Sequence, residues 1–292
     1  MRNFPLLPAL LALCLTAACS QAQPEKEAAQ AGSRQRDKTT AAAIPGLRLV
    51  GSMKDVVPES SGLAPADAPG TYYSFGDDGN GPTLYKISGQ GQAVGAQIDL
   101  ATLNTDWESL SRDPQGNYYV GDCGNNESLR RLLVIHKVRP EAPGQVQDIA
   151  FTYPDQTEFP PKKKQRNFDC EASLWHAGQV WLFTKDRGLQ ATSKVYAVPD
   201  QPGTYVAQLV AKIAIPGEVT DAALAPSGHR LVLLGRSELF ILDGNSWAEI
   251  LKATPRQISL AGAGQTEGTV FKDENTLLIS TEKGALYEYR LN

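Results

Sequence analysis

Five short segments carry an acidic or hydroxyl residue followed by a small residue and an apolar one. Aligned on their third residue, they recur at intervals of 47, 63, 50 and 46 residues. The equivalent residues are Ser61, Glu108, Glu171, Asp221 and Glu267. Four carboxylates that converge on one axis repel one another unless a counter-ion is present. Because Ca²⁺ takes six to eight oxygen ligands in flexible geometry, the pattern predicts a calcium site with one ligand from each repeat. The alternative is that these side chains bond to free backbone amides and hold neighbouring repeats together.

Polar loops that follow the second strand of each repeat are expected on the same face as this ring. They contribute both acids and bases, which suits a charged ligand. The candidate ligand-binding residues are Asn80, Asp122, Asn125, Arg187 and Arg236, and the candidate catalytic residues are Asp77, Asp78 and Lys185. The open alternative is that the Asp-Gly and Asn-containing loops serve only as turns.

Several other chemistries have no support in the sequence. It lacks a Gly-x-Ser-x-Gly elbow, a dinucleotide fingerprint, a phosphate-binding P-loop and a His-Glu-x-x-His motif. The three histidines, His136, His176 and His229, fall in no zinc-ligand spacing. A formal net charge of −4 gives no electrostatic footprint for nucleic acid, so no nucleic-acid binding is expected. Glycoside hydrolysis by a carboxylate pair drawn from the ring is a weaker alternative.

A repeat of about 40 to 50 residues is typical of a β-propeller, in which each repeat forms one four-stranded blade. Short apolar runs bounded by Gly, Pro, Asn or Asp follow each segment as second and third strands, and no segment shows a sustained helical period. Fourth strands are expected at residues 94–100, 146–152, 205–214 and 248–260. The fifth repeat has no room for a fourth strand after Arg290. Leu47–Val50 is therefore expected to complete it. The sequence predicts an all-β fold over residues 46–292, a monomeric five-bladed β-propeller closed by its N-terminal strand.

The N-terminal residues predict export and anchoring. Residues 1–18 have a basic start and a short apolar stretch, as in a secretory signal peptide. The segment Leu15–Cys19 resembles a bacterial lipobox, which implies lipidation of Cys19, and Ser20 implies sorting to the outer membrane. An ordinary cleaved signal is the alternative. Residues 19–45 contain almost no large apolar side chain and are expected to form a disordered tether.

Two further features allow alternatives. Cys123 and Cys170 end inner strands of neighbouring repeats, so they are either a disulfide of an oxidising compartment or two unpaired residues near the channel mouth. The basic run Lys162–Arg166 is expected in a solvated loop, with a phosphate or lipid-headgroup patch as the minor alternative.

The segment Glu59–Leu63 with Gly76–Asn80, and Asp106–Glu108 with Gly121–Asn125, resemble bacterial secreted propellers of the SdiA-regulated and phytase-like groups. The chain is also similar in blade order to five-bladed calcium-activated nucleotidases of the apyrase type. That resemblance implies a calcium ion in the central tunnel, held by one residue of each blade. Asp221 departs from the serine expected there, and Thr220 could serve instead. The resemblance further implies that Lys185, Arg187 and Arg236 hold phosphates, while the metal and Asp77 or Asp78 orient an attacking water.

Two classes of function follow. The first, which is favoured, is an envelope lipoprotein that acts as a binding or scaffold module with a structural calcium ion in its channel. It would be anchored through Cys19 and would bind a small charged ligand or a protein. The second is a calcium-dependent phosphohydrolase or esterase that acts on a phosphorylated small molecule. Propellers host both classes, so the fold does not decide between them.

Overall fold

The computed structural model describes residues 44–291. They form five sheets, antiparallel except at one outer strand, that are the blades of a β-propeller, which confirms the predicted fold class. The signal peptide, the tether and the lipidation site Cys19 fall outside the described residues. Among the described residues, no helix is long and apolar enough to cross a membrane.

The strands are numbered along the chain, and each blade is given from its innermost strand outward. The first strand, β1, spans Leu47–Ser52. Blade 1 contains β2 (Ser60–Pro65), β3 (Thr71–Gly76), β4 (Thr83–Ser88) and β5 (Ile98–Asp99). Blade 2 contains β6 (Trp107–Arg112), β7 (Tyr118–Asp122), β8 (Leu133–Val138) and β9 (Gln147–Thr152). Blade 3 contains β10 (Asp169–His176), β11 (Gln179–Lys185) and β12 (Thr192–Pro199), followed along the chain by β13 (Gly203–Val206) and then by the outer strand of the blade, β14 (Gln208–Ala214).

Blade 4 contains β15 (Val219–Leu224), β16 (Arg230–Gly235), β17 (Glu238–Asp243) and β18 (Arg256–Ser259). A one-turn helix, α1 (Trp247–Ile250), precedes β18. Blade 5 contains β19 (Thr266–Asp273), β20 (Thr276–Thr281) and β21 (Ala285–Arg290). A 3₁₀ turn, Lys163–Gln165, lies within the exposed basic run that was expected in a loop.

The N-terminal strand closes the ring. β1 pairs antiparallel with β21, with Leu47 opposite Tyr289 and Leu49 opposite Tyr287. It is thus the outermost strand of blade 5, as the sequence predicts. A three-stranded last blade would present a row of unpaired backbone groups, and β1 covers them.

The outer edge of blades 2 and 3 differs from the prediction. A single fourth strand over residues 205–214 was expected, but the chain divides there at the buried Ala207. β14 pairs with β12 in blade 3, whereas β13 pairs in parallel with β9 and becomes a fifth strand of blade 2. The division gives blade 2 a partner for its outer edge.

The apolar core is divided among the five interfaces between blades. Successive residues of a strand point to opposite faces, so each middle strand contributes to two interfaces. In β16, Leu231 and Leu233 pack with blade 3, while Val232 and Leu234 pack with blade 5. Clusters of the same kind join blades 1 and 2, 2 and 3, and 5 and 1.

Near the axis, hydroxyl groups join neighbouring blades. Ser109 and Ser173 share a hydrogen bond of 2.7 Å between blades 2 and 3, and Ser60 donates to Ser280 of blade 5 at 3.3 Å. Thr220 of blade 4 donates to the Thr266 carbonyl of blade 5 at 2.9 Å. These pairs place polar contacts between blades at the centre of the ring, inside the apolar clusters of the interfaces.

Both cysteines of the described residues are free and buried. The Cys123 thiol donates to the Cys170 carbonyl at 3.4 Å. The structure therefore contains two unpaired thiols rather than the disulfide that was the other alternative.

Candidate functional site

A β-bulge falls at the signature segment of every innermost strand. The pairing register shifts between Trp107 and Ser109 in β6, and equivalent shifts occur in β2, β10, β15 and β19. The unpaired residues are Ser61 and Gly62, Glu108, Glu171, Thr220 and Glu267. Because a bulge redirects a side chain that would otherwise follow the pleat, it can aim one residue of each blade at the channel.

Asp221 does not lie in this set, and its predicted equivalence was wrong by one position. In blade 4 the bulged residue is Thr220, and Asp221 is paired with Leu234. A shift of one residue along a strand sends the side chain to the other face. The Asp221 carboxylate instead accepts the backbone N–H groups of Ala222 at 2.8 Å and Thr269 at 2.6 Å, which joins blades 4 and 5. Asp221 therefore bonds to backbone amides and holds neighbouring repeats together, which was the alternative to a metal ligand.

The other four ring residues line one cavity at a mouth of the channel, with a volume of about 410 Å³. Ser61, Glu108, Glu171 and Glu267 lie on its walls, and so do the predicted residues Asp77, Asp78, Lys185, Arg187 and Arg236. Its wall holds eight carboxylates and three cationic side chains. We call this space the acidic mouth.

Three of the carboxylates meet. Oxygen atoms of Asp77, Asp106 and Glu108 all lie within 4.8 Å of one another. Asp77 follows β3 of blade 1, whereas Asp106 immediately precedes β6 of blade 2 and Glu108 lies in that strand. The Asn104 amide donates to the carbonyls of Gly76 and Asp77 at 3.0 and 3.2 Å, which fixes the blade 1 loop against the entry to β6.

The environment of this cluster favours protonated carboxyls. Burial, together with the nearby Asp169 carboxylate, raises the pKa of Asp106 from 3.8 to about 6. Burial and the neighbouring Glu171 raise the pKa of Glu108 well above its usual value. Burial likewise raises the pKa of Asp77. A cation among the three groups would remove the repulsion that opposes their ionisation.

Glu171 is neutralised by two cationic side chains. Lys185 donates to one carboxylate oxygen at 2.8 Å and Arg187 to the other at 2.7 Å. Arg187 also donates to Asp169 at 2.5 Å. Burial disfavours the charge on Lys185, but the Glu171 carboxylate outweighs burial and raises the lysine pKa. Both oxygens of Glu171 are thus engaged in ion pairs, and Glu171 is not part of the three-carboxylate cluster.

The remaining wall residues make weaker contacts. Ser61 donates to Glu108 at 3.3 Å, and the Gln265 amide donates to Glu267 at 2.6 Å. The Arg236 side chain is 52% exposed and lies 3.7 Å from Glu218. Arg236 is therefore the least constrained cation of the acidic mouth.

Three predicted ligand-binding residues do not line the acidic mouth. Asp122 forms an ion pair with Arg130 at 2.7 Å. Asn125 accepts the Arg130 backbone N–H, and its own N–H donates to Asp169. Asn80 donates to Glu59 and to the Asp77 carbonyl. These contacts hold the loops in place, which agrees with the alternative that the loops serve as turns.

The sequence interpretation missed Glu59, Asp106 and Gln265, which line the same cavity. Each is the first residue of a signature segment, two positions before the bulged residue. The signal was present, since the three residues hold the same position of the repeat.

The cluster of Asp77, Asp106 and Glu108 fits a hard divalent cation. All its donors are carboxylate oxygens, which Ca²⁺ prefers, and they approach from two blades. A five-residue ring does not fit equally well, because Asp221 is turned away and Glu171 is engaged by Lys185 and Arg187.

Comparisons with known proteins identify the fold. No family model matches the chain, and no curated protein matches it. The glutaminyl cyclase of Myxococcus xanthus is similar in structure, with a TM-score of 0.52 and 12% identity over 84% of this chain and 96% of that one.

The PQQ-bound aldose sugar dehydrogenase of Streptomyces coelicolor matches with a TM-score of 0.47 and 11% identity, over 85% of this chain and 99% of that one. Virginiamycin B lyase of Staphylococcus aureus matches with a TM-score of 0.42 and 12% identity, over 80% of this chain. This chain spans 66% of the length of that lyase. No family match supports the finer resemblance to SdiA-regulated or phytase-like proteins, and the chain is placed among the β-propellers by its fold alone.

Proposed function

We propose that this chain is a calcium-binding propeller that acts as a binding or scaffold module. The observation that carries the proposal is the meeting of Asp77, Asp106 and Glu108 within 4.8 Å at the acidic mouth. The pKa values of all three are raised, which is the response of carboxyls that lack a compensating charge.

The charge of the acidic mouth favours a cation over an anion as its first ligand. Eight carboxylates face three cationic side chains, an excess of five acids. Two of those cations, Lys185 and Arg187, are already paired with Glu171 and Asp169. An anion would therefore meet a negative wall unless a cation were bound first.

Three protein carboxylates do not saturate Ca²⁺, which takes six to eight oxygens. Water or the oxygens of a ligand would supply the others. A small molecule or a protein that carries carboxylate or phosphate groups could thus bind through the ion, with Arg236 at the same mouth. In this proposal the module is anchored to the bacterial outer membrane by a lipid on Cys19.

The test is isothermal titration of CaCl₂ into the full chain after treatment with EDTA. Glu108→Gln and Asp106→Asn remove one charge each from the cluster while retaining the shape of the side chain. Each is expected to weaken calcium binding by about tenfold or more, the loss that follows from about 1.4 kcal/mol. Glu282→Gln is the matched control, because Glu282 lines the acidic mouth outside the cluster.

The control variant is expected to bind within about threefold of the unmodified chain, a difference of less than 1 kcal/mol. The proposal fails if the unmodified chain takes up no calcium, or if Glu282→Gln weakens binding as much as Glu108→Gln does.

The second candidate is a calcium-dependent phosphohydrolase or esterase. The observation in its favour is Arg236, a half-exposed cation on the same cavity as the carboxylate cluster, which could hold a phosphate group. The predicted acids Asp77 and Asp78 line this cavity also. A panel of nucleotides and phosphoesters should be assayed with calcium and with EDTA. Calcium-dependent turnover that is lost in Arg236→Ala would establish an enzyme. A protein that binds calcium but turns over none of these compounds would support the binding module instead.

A further inference from the structure

Three loops of blades 2 and 3 form a surface beside the acidic mouth. They are residues 123–132 between β7 and β8, residues 153–168 between β9 and β10, and residues 186–191 between β11 and β12. Asn126 of the first loop and Arg187 of the third line the acidic mouth, so both loops lie at that end of the propeller. We call the three loops together the basic surface.

Contacts join the three loops. The Arg166 guanidinium donates to Glu127 at 2.8 Å, and the Gln156 amide donates to a carbonyl of the first loop at 2.9 Å. The third loop packs on the second at Gly188, where an added Cβ would lie 2.8 Å from the carbonyl oxygen of Lys164. The three loops therefore form one continuous surface.

The basic surface carries positive charge in an acidic chain. Its loops hold seven lysines and arginines against four acids, whereas the whole chain has a formal net charge of −4. Most of these acids are already engaged. Glu127 and Asp155 form ion pairs, and Asp186 accepts three backbone N–H groups of its own loop. Among the contacts of residues 44–291, Glu158 is the one acid of the surface without a partner.

Four cations of the basic surface have no acidic partner. No ion pair found among residues 44–291 includes Arg131, Lys162, Lys163 or Lys164. All four side chains are exposed, and the 3₁₀ turn that carries two of the lysines contains no buried residue. Their charges are therefore available to an anionic partner.

Large apolar side chains are exposed on the same loops. Leu129, Leu132 and Leu189 are 54%, 50% and 61% exposed, and they are three of the seven exposed large apolar side chains of the described residues. Between the first two, the Arg131 guanidinium carbon lies 4.2 Å from the centre of the half-buried Phe159 ring. Singly scattered leucines are ordinary on a protein surface. Leucines grouped with unpaired cations are instead typical of segments that lie in a membrane interface.

A cavity of about 480 Å³ opens on the basic surface. Leu189, Lys164 and Lys212 line it, and the two lysines are exposed. A third lysine of its wall, Lys194, is already in an ion pair. Two unpaired cations thus face one unpaired acid, Glu158, on this wall. Lysine is a common partner of phosphate groups, so the cavity suits a phosphate.

We infer that the basic surface docks on a lipid bilayer that contains anionic phospholipid. The unpaired cations contact the charged headgroups, and the exposed leucines enter the boundary between headgroups and acyl chains. The phosphate of one headgroup lies between Lys164 and Lys212. Nucleic acid would satisfy the lysines but would leave the leucines in water. Docking needs neither calcium at the acidic mouth nor a lipid on Cys19, so the inference stands apart from the proposed function.

The test is cosedimentation of the full chain with vesicles in EDTA, which leaves the acidic mouth without calcium. Vesicles of phosphatidylcholine alone are compared with vesicles that also contain phosphatidylglycerol, in about 0.1 M salt. Binding to the anionic vesicles is expected to be at least about tenfold tighter, and about 0.5 M salt should abolish the difference because it screens the charges. The phosphatidylcholine vesicles report any binding through the apolar residues 4–18, which does not depend on headgroup charge.

A triple variant locates the charged part of the site. Combining Lys162→Gln, Lys163→Gln and Lys164→Gln is expected to weaken binding to anionic vesicles by about 100-fold, about fivefold for each lysine. The melting temperature should not change, because these exposed lysines have no ion pair to lose. The matched control removes the same charge from three exposed cations elsewhere in the chain, by Lys54→Gln, Lys252→Gln and Arg256→Gln. It is expected to bind within about threefold of the unmodified chain.

A pair of leucine variants tests the apolar part. Leu189 and Leu49 are equally exposed, at 61%, but Leu49 lies on β1 of blade 5. Leu189→Ser is expected to weaken binding to anionic vesicles about fivefold, because it removes an apolar side chain from the interface. Leu49→Ser should leave the binding within about twofold.

Four results would overturn the inference. They are equal binding to both kinds of vesicle in EDTA, binding to anionic vesicles that survives the triple lysine variant, an equal loss in its matched control, and a Leu189→Ser protein that binds as tightly as the unmodified chain. A chain that takes up calcium but binds no anionic vesicle would keep the proposed function and remove this docking surface.

Discussion

Asp106 is the carboxyl whose ionisation should be visible in solution. Its pKa is raised to about 6 in the folded chain, against 3.8 in a solvated state. Between these values the folded chain binds more protons than the unfolded chain. In EDTA, the contribution of Asp106 to the free energy of unfolding therefore falls as the pH rises from about 4 to about 6.

The same shift predicts a pH-dependent calcium affinity. The ion requires the ionised Asp106 carboxylate, so calcium affinity should rise as the pH rises through about 6. Each pH unit below about 6 should weaken calcium binding about tenfold for one displaced proton. Calcium titrations between about pH 5 and pH 8 measure this slope. Asp106→Asn should make the slope shallower, and an affinity that does not change with pH would contradict the cluster as the site.

Asp221 tests the difference between a ligand and a structural carboxyl. Asp221→Ala leaves two buried N–H groups without their acceptor and should lower the free energy of unfolding by about 2 to 5 kcal/mol. Calcium affinity should stay within about twofold, because Asp221 does not face the acidic mouth. Urea denaturation and calcium titration measure the two effects. Asp221→Asn retains one acceptor oxygen and should cost less, whereas a large loss of calcium affinity would restore Asp221 to the ring.

At the residue scale, the sequence predicted the right segments but not the side chain in every blade. Glu108, Glu171 and Glu267 are bulged residues, as their alignment implied. In blade 4 the bulge moved to Thr220, and a bulge depends on hydrogen bonds between strands that no single segment reveals. The ion pairs of Glu171 were also invisible, because Lys185 lies on the neighbouring strand.

The element that closes the ring depends on a close backbone approach. A Cβ atom on Gly51 of β1 would lie 2.1 Å from the Gln90 carbonyl oxygen. Gly51→Ala should therefore push β1 away from its place and lower the free energy of unfolding by about 1 to 3 kcal/mol. Gly144→Ala is the control, since a Cβ there meets nothing within 4 Å. Its effect should stay within about 0.5 kcal/mol in the same urea titration. Equal stability of the two variants would show that β1 tolerates displacement.

Among the elements, inner and middle strands were predictable and outer strands were not. Middle strands are buried and read as continuous apolar runs, such as Leu231–Leu234, while inner strands carry the repeated signature segment. Outer strands are half exposed, and their partner is decided by which edge is free. β13 carries no signal that would assign it to the edge of blade 2 rather than to blade 3. β1 was predictable only because the last repeat lacked a strand.

At the scale of the whole molecule, calcium should stabilise the ring as one unit. The cluster joins blade 1 through Asp77 to blade 2 through Asp106 and Glu108. Calcium at about 100 times its dissociation constant should add about 2.7 kcal/mol. For a chain of this size that raises the melting temperature by about 5 to 10 °C in a single transition. Differential scanning calorimetry with calcium and with EDTA measures the shift. Identical melts in both conditions would count against the ion.

The overall architecture was predictable because repetition is a property of the sequence. Five segments at blade-sized spacing required five blades, and the blades required closure. The proximity of Asp77, Asp106 and Glu108 was not predictable, since they belong to two repeats and no single segment shows how close their carboxylates lie. That property exists only once five strands surround one axis.

The hydroxyl contacts between blades have a consequence for how the ring tolerates rearrangement. Ser109 meets Ser173, Ser60 meets Ser280, and Thr220 meets the Thr266 carbonyl, so each contact matches one particular pair of neighbours. A circularly permuted chain that begins in another loop between blades keeps every neighbour and every contact. A chain in which two blades exchange places would bury hydroxyls opposite the wrong surfaces. The order of the blades, and not only their number, is therefore encoded at the axis.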